Sequence, residues 1–104
     1  MKEYKVEVTP SALDDIDIIY GYIVNTYNSF EGAEKVKRRI LAKCQTLGVF
    51  PKIANIKMKV LDNEILFIGC GKYIIIYYID EYRQLVRIIR VIHSRRNIMQ
   101  IINE

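Results

Sequence analysis

The only histidine of this 104-residue chain, His93, stands between Arg90 and the Ser94-Arg95-Arg96 run. An imidazole can pass a proton near neutral pH, and guanidinium groups hold phosphate or carboxylate oxygens through a fork of N–H donors. His93, Arg95 and Arg96 are therefore candidate catalytic residues for chemistry on an oxyanion. Lys57, Lys59, Lys72, Tyr73 and Arg90 are candidates for plain binding of an anionic target. A lone histidine at a strand end is more often structural than catalytic, so binding is the broader expectation. Arg87 and Arg90 differ by three, which on a regular strand sends them to opposite faces and leaves Arg90 beside Ile88 and Ile92. Of Arg95 and Arg96, one is expected to pin the fold through Asp14 or Glu64 while the other faces a partner.

The elements that must position these groups follow from the apolar spacing. Tyr4, Val6 and Val8 alternate with Lys5 and Glu7, the period of a half-buried strand over 3–8. Thr9-Pro10 announces a helix, since threonine caps free amides and proline at the first helical position lacks only a donor that has no partner there. Ala12, Ile16, Ile19, Ile23 and Tyr27 recur at steps of three and four, giving that helix one apolar face to about residue 27. Ser29 caps a second helix over 30–47, with Ala33, Val36, Ile40, Cys44 and Leu47 inward, Lys35, Arg38, Arg39 and Lys43 mostly outward, and Gly48 and Pro51 as its stop. The two helices form an antiparallel hairpin. Residues 51–63 read as a loop or an edge strand guarded by Lys52, Lys57 and Lys59. Strands follow at 64–68, 72–79 and 85–93, with turns at Gly69-Cys70-Gly71 and Asp80–Arg83, and residues 97–102 read as a short terminal helix. The tyrosines of the third strand suit core packing better than base stacking, because isoleucines flank them.

Composition bounds the rest. The length and 51% apolar content give one domain, 1–104, with one two-layer core. The net charge of +4 hides a segregation: residues 1–34 carry seven acids against two bases, and residues 35–104 carry fourteen bases against five acids. Such a field attracts phosphate backbones or acidic protein segments. The longest apolar run, Tyr73–Ile79, is far short of the ~20 residues that cross a bilayer, and the start has no apolar signal core, so a cytoplasmic protein is expected. Cys44 and Cys70 have no neighbouring ligand residues and read as free thiols; no metal and no cofactor is expected.

Four pieces in order resemble the RelE/ParE superfamily of toxins from bacterial type II toxin-antitoxin modules, over nearly the whole chain. They are Tyr4-Lys5-Val6 leading into Thr9-Pro10-Ser11-Ala12, Leu47-Gly48-Val49-Phe50-Pro51, Lys72-Tyr73-Ile74-Ile75-Ile76-Tyr77-Tyr78-Ile79-Asp80, and Val91-Ile92-His93-Ser94-Arg95-Arg96-Asn97. The resemblance implies an α+β fold: an N-terminal strand, a two-helix hairpin and a curled antiparallel β-meander. It also implies a growth inhibitor with a role in plasmid stabilization, silenced by a cognate antitoxin whose acidic and apolar segment wraps across sheet and helices. The superfamily divides between gyrase poisons, which perform no bond chemistry, and ribosome-dependent mRNA endonucleases. Cleavage by a ribose 2′ hydroxyl needs a base, an acid and cations around the phosphate, which His93 with Arg95, Arg96, Lys57 or Lys59 would supply without a metal. In RelE-like nucleases, however, an arginine commonly follows the tyrosine that opens the central strand, where this chain has Ile74. A tyrosine often follows the terminal basic motif, where this chain has Asn97, Ile98 and Met99. The His93-Ser94-Arg95-Arg96 ending is closer to the ParE branch. The expectation is therefore a toxin acting on DNA gyrase; the alternatives are an mRNA endonuclease or a non-toxic binding module.

Overall fold

Local capping and one cross-chain lock organise the chain. The computed structural model describes residues 3–96; the helix expected over 97–102 lies outside them. Strand β1 (Lys5–Val8) runs into α1 (Pro10–Tyr27) through Thr9. The Thr9 hydroxyl accepts the Ala12 N–H at 3.3 Å and donates to the Ile88 carbonyl at 2.8 Å, so one side chain caps the helix and ties it to a distant strand. Asn28, in the left-handed region at φ 51°, ends α1, and Ser29 accepts the Gly32 N–H to open α2 (Phe30–Val49). Then come β2 (Ile56–Val60), β3 (Asn63–Cys70), β4 (Tyr73–Asp80) and β5 (Leu85–His93).

The strands form one sheet in the order β1-β5-β4-β3-β2. The β3–β4 and β4–β5 connections are antiparallel as expected, the 51–63 segment supplies β2 as an antiparallel edge strand, and β1 joins parallel to β5, making the sheet mixed. Both helices pack on one face. Ala12 and Ile16 of α1, with Ile40, Cys44 and Leu47 of α2, meet Leu66, Ile75, Tyr77, Val86 and Ile88 of the sheet in the main core. The burial of Tyr77 agrees with the core reading of that ring; its hydroxyl donates to the Pro51 carbonyl at 2.7 Å and so fastens the segment between α2 and β2.

Several sequence expectations need correction. Gly48 does not stop α2, which runs on to Val49. Its missing side chain serves packing: a Cβ there would lie 2.8 Å from the Tyr4 carbonyl oxygen, and the Gly48 carbonyl accepts the Tyr4 N–H. Tyr27, the last residue of α1, is exposed and not part of the buried stripe. Gly69 and Cys70 belong to β3, and Gly71 with φ +61° and Lys72 make the turn. A register shift between Ile76 and Tyr77, opposite Ile88–Arg90, breaks the alternation of β5. Ile88 therefore faces the helices, whereas Ile92 joins Phe67 and Ile76 on the other face, so Arg90 does not share one face with both.

Arg90 and Asp15 make the lock. Asp15 of α1 accepts Arg90 Nε at 2.8 Å and Arg90 Nη2 at 3.2 Å, and its Oδ2 also accepts the Val91 N–H at 2.9 Å. The carboxylate–guanidinium pin assigned from sequence to Asp14 or Glu64 with Arg95 or Arg96 is thus formed by Asp15 with Arg90. β1 pairs with β5 only as far as Ile88, and Asp15 satisfies the next donor along that edge.

Three outcomes follow for stability. Gly48→Ala lowers it by about 1–3 kcal/mol, because the clash is with backbone rather than a movable side chain; denaturant unfolding reads the loss. Asp15→Ala lowers it by roughly 1–3 kcal/mol by removing the carboxylate that Arg90 and the Val91 N–H share, and Asp15→Asn costs less because an amide oxygen still accepts the N–H. Burial pushes the Cys44 thiol from 9.0 up to about 12 and the Tyr77 hydroxyl from 10.0 up to about 12. The unfolded chain loses these protons first, so stability is retained below about pH 9 and falls as pH rises towards about 12; pH-dependent thermal melts check the sign.

Candidate functional site

Between the helical hairpin and the ends of β4 and β5 lies an open groove of about 990 Å³. Its walls are built by elements whose apolar residues exceed what the core consumes. In α1, Ala12, Ile16 and Ile23 are buried, while Ile18 and Tyr22, four apart on an adjoining row, are 70% and 57% exposed and line the groove. Tyr22 and Tyr27 meet edge to face with centroids 6.5 Å apart. Tyr73, opening β4, stands across the groove from them, and burial together with the Tyr22 and Tyr27 hydroxyls raises its own hydroxyl above the ordinary value.

The cations gather at the sheet end. Lys72 comes from the β3–β4 turn, Tyr73 from the start of β4, His93 from the end of β5, Arg95 and Arg96 from just beyond it, and Arg39 from α2. Gly71 permits this assembly: a Cβ there would lie 3.3 Å from Arg39 Nη1, so a side chain would crowd the guanidinium. Arg39, Lys72 and Arg95 have no carboxylate partner among the described residues. The carboxylate lining the groove, Asp15, is already bound to Arg90 and the Val91 N–H. The groove is thus apolar and aromatic along the helices and positively charged at its mouth.

His93 is held firmly. It pairs with Tyr73 across the strands, ring edge to ring face at 5.6 Å and 81°. Its Nδ1 accepts the Arg95 N–H at 3.1 Å. An accepting Nδ1 puts the proton of the neutral ring on Nε2, which leaves no free lone pair on the imidazole in this geometry. The residue is arranged to donate, not to abstract.

The sequence candidates divide by place. Lys72, Tyr73, Arg90, His93, Arg95 and Arg96 line the groove. Lys57 and Lys59 do not; they lie on β2, the opposite edge of the sheet from β1. Arg90 is there as the Asp15 partner and is only partly exposed. Arg87 is bound elsewhere, to Glu7 at 3.0 Å and to the Tyr78 hydroxyl at 2.9 Å. Arg39, Ile18, Tyr22 and Tyr27 were missed as site residues. The available signal was an apolar helix face wider than one buried stripe. Among the described residues no group of three or more metal-ligating side chains occurs, both cysteines are free and buried, and no helix is long and apolar enough to cross a membrane.

The other face of the sheet is apolar beside β2, β3 and β4 and carries the Arg87–Glu7 pair and Tyr78 towards β1. Phe67, Ile76 and Ile92 are buried there, with Met58, Ile65, Ile74 and Ile89 packed around them. Ile74, which occupies the position where RelE-like nucleases commonly carry arginine, belongs to this apolar cluster and adds no charge to it.

Comparison with known proteins accords with this architecture. The solved toxin–antitoxin complex RelBE2 of Mycobacterium tuberculosis has a chain that superposes with a TM-score of 0.70 at 18% identity, covering 92% of this chain and 97% of that one. The chromosomal ParDE toxin–antitoxin system of P. aeruginosa gives 0.73 at 18% identity, covering 89% and 98%. The RelE–RelB complex of Pyrococcus horikoshii gives 0.65 at 16%, covering 93% and 100%. At these identities the likeness is one of fold. No curated protein matches the sequence. The family model for the ParE toxin of the type II toxin-antitoxin system parDE matches residues 6–98, which span the fold, the groove and its basic mouth. The chain belongs to the ParE family of type II toxin-antitoxin toxins.

Proposed function

We propose that this toxin arrests growth by binding an essential machine, DNA gyrase, through the basic mouth of the groove, and that it breaks no bond itself. The observation that carries the reading is the combination of an uncharged outer sheet face at Ile74 with a histidine whose Nδ1 is already occupied. General-base catalysis needs a free lone pair beside the hydroxyl it activates, and neither Ile74 nor the occupied Nδ1 of His93 offers one. Arg39, Lys72 and Arg95 instead supply a field that draws in and orients an anionic partner.

Antitoxin binding uses the same groove. An acidic and apolar antitoxin segment would set its apolar side chains against Ile18, Tyr22 and Tyr27 and its carboxylates against the three cations. Occupation of the mouth then excludes the target, which gives neutralisation by competition.

A second reading keeps one supporting observation. His93, Arg95 and Arg96 converge at one end of the groove, where the Nε2–H of His93 beside guanidinium groups would donate to a leaving oxygen. This is the ribosome-dependent mRNA endonuclease, and it requires a base from elsewhere.

Induced expression of His93→Ala without antitoxin separates the two. On the gyrase reading growth arrest persists, whereas an essential proton shuttle contributes about 10²–10⁴-fold and its removal restores growth. Lys72→Glu combined with Arg95→Glu is expected to abolish arrest while the protein stays soluble and folded by circular dichroism. A gyrase supercoiling assay and intact cellular mRNA, measured on the wild type, complete the comparison; cleaved mRNA with unaffected supercoiling overturns the primary reading.

A further inference from the structure

The two thiols are nucleophiles that the proposed binding role leaves unused. Cys70 ends β3 and lines the groove, with 4% of its surface exposed. Cys44, on the inward stripe of α2, belongs to the same core cluster but does not reach the groove. One turn of α2 brings the pair together. The Cys70 Sγ donates to the Arg39 carbonyl at 3.7 Å, and in the helix that carbonyl also receives the N–H of Lys43, the residue before Cys44. The Cys70 thiol adds to the burial that pushes Cys44 up to about 12. An outer thiol at the groove wall thus backs onto an inner one.

Charge decides which reagent such a pair meets. Burial pushes the Cys70 thiol up, while the Lys43 and Arg39 cations pull it back towards ionisation. A thiolate beside cations is the nucleophile of exchange, whereas a thiol in wholly apolar surroundings is inert. Arg39, Lys72 and Arg95 stand around the same mouth. They attract an anionic reagent and repel a cationic one.

We propose that Cys70 and Cys44 form a thiol–disulfide exchange site that opens on the groove and takes an anionic low-molecular-weight disulfide. The Cys70 thiolate attacks one sulfur of the reagent; the reagent's S–S bond breaks, a mixed disulfide forms at Cys70, and the first small thiol leaves with the proton that Cys70 gave up. The Cys44 sulfur, losing its own proton, then attacks the Cys70 sulfur. A Cys44–Cys70 bond forms and the second small thiol leaves. Two protein thiols are oxidised and one small disulfide is reduced to two thiols. The internal bond ties α2 to the end of β3 and fixes the turn that carries Arg39. The inference depends neither on the target nor on the antitoxin.

The test treats the folded full chain with oxidised glutathione, which is anionic, and with cystamine, which is cationic. Remaining thiols are then alkylated and the intact and digested protein is weighed by mass spectrometry without reduction. A glutathione adduct at Cys70 is expected first, followed by its loss as a Cys44–Cys70 linkage appears. Glutathione disulfide is expected to react about tenfold faster than cystamine at low salt, and added salt or Arg39→Gln narrows the difference. Cys44→Ala retains the adduct without closure, and Cys70→Ala forms none; if either variant is unfolded, the linkage mapped in the wild type carries the test. Reaction only in denaturant would return both residues to plain core packing and overturn the proposal. Adducts on Cys44 first, equal rates with the two reagents, or a linkage between molecules would overturn it equally.

Discussion

One edge of one strand governs the architecture. β5 is nine residues long, but β1 covers only its first half, ending at the Val8–Ile88 pair. An uncovered backbone donor at a helix–sheet junction is costly unless something accepts it. Thr9 and Asp15 take over where β1 leaves off: the hydroxyl binds the Ile88 carbonyl, and the carboxylate binds the Val91 N–H and grips Arg90. Because both residues sit at the start of α1, the contacts that complete the sheet also set the position of the first helix. The groove wall carrying Ile18 and Tyr22 is placed by them.

The irregularity opposite Ile76 and Tyr77 has a comparable reach. Before it, Val86 and Ile88 of β5 turn to the helices; beyond it, Val91 does so, and Ile92 turns to the other face. His93 consequently stands beside Tyr73 on the groove side and not among the isoleucines of the outer face. The protein thus presents two unlike surfaces, a sheet face with an apolar cluster around Phe67 beside the Arg87–Glu7 pair, and a cleft with aromatic walls and a basic mouth. Charge concentrated at one end of an apolar groove is what the proposed recognition draws on, since it can steer and orient an anionic partner with few residues.

Periodicity and capping made much of the fold legible. Thr9-Pro10 and Ser29 mark the two helix starts because their side-chain oxygens have a local task that few other residue types perform. The inward stripe of α2 through Ala33, Ile40, Cys44 and Leu47 is readable for the same reason, since 3.6-residue spacing leaves one face to bury. The misreadings concern contacts distant in sequence. Gly48 looks like a helix stop until the Tyr4 backbone is seen against it, and the acid that holds Arg90, Asp15, lies 75 positions earlier.

What the sequence determined by itself is the order of elements, the polarity of each helix face and the gathering of basic residues in the later two thirds of the chain. These depend on neighbours within a few positions and on side-chain chemistry alone. Tertiary structure decided which cations are held by carboxylates and where the others stand: Arg87 and Arg90 are bound by Glu7 and Asp15, Arg39 is brought in over Gly71, and Lys57 and Lys59 are sent to the far edge. Strand order, the register shift and helix placement set those distances. The energy of a charge depends on what lies within a few ångströms of it, which the linear spacing does not encode.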